Sequence, residues 1–177
     1  MTYFQDTAHL YRVLDAFFGR LSGEQDIAEA MLAGRFVLRF RYREPAGQVT
    51  VDLREGPITW AFDETDLEPD LEMIQSADVA HEFWLGKLSV PRALATRKVV
   101  SRGPVAKALK LLPALKPAYP LYADVLREIG ETELLAVLDG GNGAAQGRGP
   151  QWRALAGHCV LRRLPHEIYS SSSSGTL

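Results

Sequence analysis

Four histidines (His9, His81, His158, His166), one cysteine (Cys159) and a run of carboxylates between Asp63 and Glu72 are the residues of this 177-residue chain that could carry chemistry. Their spacing argues against it. No histidine stands three or four residues from a second, as two metal ligands on one helix face must. His81-Glu82 and His158-Cys159 are adjacent pairs, and neighbours in a helix point in different directions, so neither makes a base with its orienting group or a base with its thiol. Asp63, Glu64, Asp66, Glu68, Asp70 and Glu72 resemble a string of oxygen ligands, but Pro69 interrupts them and no glycine supplies the sharp turn of a calcium loop. That run reads as a solvated acidic loop. Gly141-Asn142-Gly143 lacks the third glycine of a dinucleotide fingerprint and follows no strand, and neither a Gly-x-Ser-x-Gly elbow nor a phosphate loop occurs. The residues therefore predict no catalysis, no metal and no cofactor.

The elements that would position any site follow from periodicity. Leu10, Val13, Leu14, Phe17, Phe18 and Leu21 recur at spacings of three and four, which predicts a helix from about Thr7 to Arg20 with one strongly apolar face. Ser22 with Gln25 fits a capping box opening a second helix through Ile27, Ala28, Met31 and Leu32, ended by Gly34. From Arg35 the period falls to two. Phe36, Leu38, Phe40 and Tyr42 alternate with a row rich in arginine, Val49, Val51 and Leu53 alternate with Thr50, Asp52 and Arg54, and Ile58, Trp60 and Phe62 follow. Short turns at Pro45-Ala46-Gly47 and Glu55-Gly56-Pro57 make these an antiparallel meander with one apolar face. The arginine row is expected to be a solvated sheet face, paired with Asp52 and Glu72 across strands.

The stretch from Leu71 to Gly103 then reads as strand, helix, glycine stop, second helix and strand. Ser76 caps the first helix and Gly86 ends it; Ser89 caps the second, with Pro91 in its first turn, where the absent N–H costs nothing. Val99-Val100-Ser101 is strand-like. Beyond Gly103, Val105 to Leu115 is an apolar helix broken at Pro113, Tyr119 to Ile129 a further amphipathic helix stopped by Gly130, and Leu134 to Leu138 a last short one.

Ser76-Ala77-Asp78 opening a helix, Phe83 to Gly86-Lys87-Leu88 closing it, and a short helix and strand ended by Gly103 together resemble the SCP2 sterol-carrier family, more loosely from about Phe36 to Leu112. The family pattern places an acid or its amide after the glycine, where this chain has Pro104. The resemblance implies an α/β (α+β) fold, a mixed and largely antiparallel five-stranded sheet covered on one face by helices. It also implies an apolar tunnel for lipids, fatty acyl chains or sterols, without catalytic residues.

Composition is compatible with that. At 46% hydrophobic and 24% charged residues the chain is neither disordered nor membrane-embedded in character. Its formal net charge of −2, with bases interspersed among acids, argues against a nucleic-acid partner. A single cysteine excludes an intrachain disulfide, the N-terminus has no basic start followed by an apolar block, and no apolar run approaches the ~20 residues of a transmembrane helix. A cytoplasmic location is expected. Residues 1–138 are read as the lipid-binding domain, 139–150 as a Gly-rich linker, 151–169 as an appended amphipathic segment open to self-association or a protein partner, and 170–177 as a mobile tail.

The site expected on this reading is a cavity between sheet and helices. Phe40, Val51, Trp60 and Met73 form its sheet side; Phe83, Trp84, Leu88, Leu94, Leu109 and Leu112 form its helix side. Two other readings stay open: an accessory protein–protein interaction module whose closed core binds nothing, and a small enzyme acting on a hydrophobic substrate.

Overall fold

The computed structural model describes residues 2–136. The linker, the appended segment and the tail expected from the sequence lie outside the described residues, as do His158, Cys159 and His166. Among the described residues are six α-helices and five strands. The helices are α1 (Thr7–Gly23), α2 (Gln25–Leu32), α3 (Ala77–Trp84), α4 (Val90–Ala95), α5 (Val105–Leu111) and α6 (Ala118–Glu128), followed by a 3-10 turn, Thr132–Leu135. The strands are β1 (Val37–Arg43), β2 (Ala46–Asp52), β3 (Thr59–Phe62), β4 (Leu71–Gln75) and β5 (Val100–Arg102).

The sheet runs β3-β2-β1-β4-β5, with β1 and β4 parallel and every other pair antiparallel. It is the mixed, five-stranded α/β sheet expected. Parallel pairing requires the chain to cross from β3 at one edge to β4 beyond β1, and the acidic segment 63–70 makes that crossing. Arg39 donates through Nη2 to the Leu67 carbonyl at 2.6 Å, and the Asp70 carboxylate accepts from the Val37 N–H at 2.8 Å. The loop that looked merely solvated is thus tied to β1.

Alternation along the strands sends two sets of side chains to opposite faces. Leu38, Val51, Leu71 and Met73 go to the helix side and are buried. On the other side Glu72, also buried, lies 3.1 Å from Arg41 and 3.2 Å from Arg102, and Arg39 donates to the Thr50 hydroxyl. Glu72 thus pairs across strands as expected, whereas Asp52 does not: its carboxylate accepts from Arg54, two residues along the chain.

α1 buries the whole stripe from Leu10 to Leu21, and Asp6 caps it by accepting from the His9 N–H at 2.7 Å. The helix continues to Gly23, past the expected end, and this overturns the capping box. The Ser22 hydroxyl donates back to the Gly19 carbonyl, and Glu24 occupies the cap of α2 without a side-chain bond. Burial of Leu21 keeps α1 helical through the residue that local chemistry would have used as a start signal. α3 follows its signals: the Ser76 hydroxyl accepts from the Val79 N–H, and Gly86, at φ +71°, ends it with the Lys87 N–H on the Glu82 carbonyl. Ser89 stands at the start of α4 without making a side-chain cap bond.

Candidate functional site

A cavity lies between the helix-facing side of the sheet and the segment that runs from α3 through α5. The strand periodicity delivers Leu38 and Phe40 from β1, Val51 from β2, and Met73 and Gln75 from β4. Opposite them stand Phe83 and Trp84 at the end of α3, Leu88 just past the Gly86 stop, Val105, Ala108 and Leu109 along α5, and Leu112 just past its end. The last four recur at i, i+3, i+4 and i+7, which places them on one helix face. Phe18, Met31 and Phe36 also line the cavity.

Of the ten residues expected at the site, eight line this cavity: Phe40, Val51, Met73, Phe83, Trp84, Leu88, Leu109 and Leu112. Trp60 and Leu94 do not, and their placement is a correction. Trp60 sits toward the β3 edge, its indole N–H donating to Asp15 of α1 at 2.8 Å and its ring 6.0 Å from Phe18. Leu94 lies in a shallow surface hollow beside Arg97. Strand alternation fixes which face a residue takes but not how far along the sheet a cavity extends, and Trp60 was lost to that second dimension.

The cavity's free volume is about 70 Å³, a narrow slot and not a chamber. Its helical wall is thin: α5 has no buried residue, and its cavity-lining side chains, Val105, Ala108, Leu109 and Leu111, are only half-buried, as is Leu112 just past it. By contrast Trp84 on the α3 side is 3% exposed, with its ring 4.7 Å from Phe17.

One polar side chain lines the slot, and sequence reasoning missed it. Gln75 is 5% exposed and stands at the end of β4. The signal was present, since Leu71, Met73 and Gln75 share one strand face, but a glutamine ending a strand is ordinarily solvated.

Outside the slot, His81 is built into the core. Its Nε2 lies 2.8 Å from the Leu134 carbonyl, which can only accept, so Nε2 carries the proton and Nδ1 accepts from the Tyr122 hydroxyl at 2.9 Å. Burial pushes the imidazole below its ordinary value, opposed by the Leu134 bond and the Asp78 charge. Burial raises the Tyr122 phenol well above its ordinary range. Both groups stay neutral and mutually satisfied, a structural arrangement joining α3 to α6. Among the described residues no three His, Cys, Asp or Glu side chains converge as a metal site, and no helix is long and apolar enough to cross a membrane.

No family model matches the chain, and no curated protein does. Solved structures resemble it. A conserved hypothetical protein of Thermus thermophilus, described as possibly sterol carrier protein, superposes with a TM-score of 0.50 at 18% identity, covering 62% of this chain and 83% of that one. The sterol carrier protein domain 2 of Helicoverpa armigera gives 0.49 at 18% identity over 62% of this chain and 86% of its own. The stereoselective inverting sec-alkylsulfatase of a Pseudomonas species gives 0.45 at 15% identity; 49% of this chain is matched, and it spans only 14% of that enzyme's length. The described residues have an SCP2-like fold.

Proposed function

We propose that the protein binds one hydrophobic molecule in the slot between sheet and α5, without catalysing its conversion, and that it holds or transfers that molecule. The observation that carries this reading is the slot itself, walled by apolar side chains with Gln75 as its single polar contact. Its narrowness favours a flexible chain, acyl or isoprenoid, over a rigid fused-ring nucleus. Pockets that enclose drug-sized ligands run to ~300–1,000 Å³, so a whole acyl chain requires α5 to move outward. The thin burial of α5 makes it the element able to do so.

Magnitudes are sufficient. Burying ~400 Å² of apolar chain at ~25 cal/mol/Å² gives ~10 kcal/mol, and subtracting at least ~4 kcal/mol for association leaves ~6, a dissociation constant on the order of tens of micromolar. The Gln75 amide offers a hydroxyl or carbonyl head one or two hydrogen bonds, each worth ~1 kcal/mol.

Organic extraction of the purified full chain, analysed by mass spectrometry, tests the reading. A long-chain lipid recovered near one equivalent supports it. A lipid-free protein that also refuses added long-chain alcohols and acids contradicts it and leaves the closed-core interaction module.

A further inference from the structure

Against the expected interspersion of bases among acids, the charges of this chain are not evenly mixed. From Phe83 to Ala123 there are eight Lys and Arg and no Asp or Glu, so the rest of the sequence holds 12 cations against 22 acids. This segment is the one that walls the slot. Lys87, Arg92, Arg97 and Lys98 surround α4, Arg102 ends β5, Lys107 and Lys110 stand on α5, and Lys116 follows it; all eight are exposed. Among the described residues only Arg102 has an ion-pair partner, Glu72.

Their placement ties them to the slot. Lys87, Arg92 and Lys98 rim a surface hollow that shares Leu88 with the slot wall, with Glu82 as the one carboxylate there. Arg97 borders a second hollow whose apolar floor, Leu94, Val99 and Val105, shares the last two residues with the slot. On α5 and its C-cap, Val105, Ala108, Leu109 and Leu112 take the slot side while Lys107 and Lys110 remain exposed.

We propose that the α4–α5 face docks on an anionic lipid bilayer, bringing the slot wall against the membrane. An anionic leaflet attracts clustered cations and also accepts half-exposed apolar side chains at its interface, the combination this face presents. A nucleic acid meets the cations but gains nothing from Leu94 and Val105. The purpose of such docking rests on the slot being a lipid site, but the docking can be measured without it.

Sedimentation of the full chain with vesicles is the test, comparing pure phosphatidylcholine with phosphatidylcholine carrying about one-third phosphatidylglycerol. Binding to the anionic vesicles alone, lost when salt is raised to ~0.5 M, is expected. K107Q with K110Q weakens it by ~25-fold, about fivefold per cation, and K87Q with R92Q, a second variant should the first fail to fold, does the same. R20Q with R127Q removes two cations that lie beside Glu24 and Asp124 and leaves binding within about twofold. The proposal is overturned by failure to bind, by equal binding to neutral vesicles, by an equal loss in the R20Q/R127Q control, or by tighter binding to duplex DNA than to anionic vesicles. A protein that sediments with vesicles but yields no bound lipid contradicts the slot reading alone.

Discussion

Gly103 lies so close to Asp70 that a Cβ on it would stand 2.3 Å from the Asp70 carbonyl oxygen. Its φ of +102° is one that side-chain-bearing residues rarely adopt, and it turns the chain from β5 into α5, the thin wall of the slot. Both the contact and the dihedral penalise any side chain. G103A is expected to lower stability by ~2 kcal/mol or more, measured by urea unfolding. A change below about 0.5 kcal/mol would mean that the β5–α5 junction relaxes freely.

The two walls of the slot differ in what they contribute to stability. Trp84 is buried against Phe17, whereas Leu109 is half-buried beside unfilled space. W84A should cost ~3–5 kcal/mol and L109A about 1 kcal/mol or less, compared by denaturant midpoint at constant m. Similar costs at both positions would make α5 a true core element.

His81 predicts the acid limb of the stability curve. Its folded-state pKa is depressed by burial, so the folded protein favours the neutral ring. The unfolded chain takes up the proton first, at about 6.5, and the stabilisation is full above that pH and lost as pH falls through and below it. H81Q, which cannot titrate, should flatten the fall in stability between about pH 6.5 and 5. An unchanged slope would assign the acid limb to other groups.

Glu72 is buried, but its partners Arg41 and Arg102 are largely exposed, at 47% and 70%. Both guanidinium groups can turn to water when the carboxylate is removed. E72Q should therefore cost only about 1 kcal/mol, and wild type and variant should converge in high salt. A loss of ~3–5 kcal/mol, measured by thermal unfolding, would show that the arginines remain trapped.

The fold was legible where burial and local signals agree. α1, the meander and the Ser76 to Gly86 helix each carry a stripe and a punctuation residue pointing the same way. Ser22 misled because burial of Leu21 outweighed a local cap signal. The parallel pairing of β1 with β4 depends on where a polar loop crosses, and nothing local to residues 63–70 encodes that. Of the eight expected residues that line the slot, Phe40, Val51 and Met73 were legible because alternation sorts strand faces, and the other five because they are apolar positions on or beside the helices that cover the sheet. Gln75 escaped notice because a glutamine that ends a strand is ordinarily solvated, whereas this one is buried at the slot. The cationic bias of residues 83–123 is plain in the sequence but acquires meaning only once that segment is seen to wall the slot.

Carriage by this protein requires an apolar chain to enter the slot, and native mass spectrometry of delipidated protein given one equivalent of a saturated alcohol of about 16 carbons tests that entry. A one-to-one adduct is predicted for the wild type, together with its loss in L109W, where the indole fills the slot from the half-buried α5 position without crowding the Trp84 core. No adduct in the wild type, or an equal adduct in a folded L109W protein, would contradict the account.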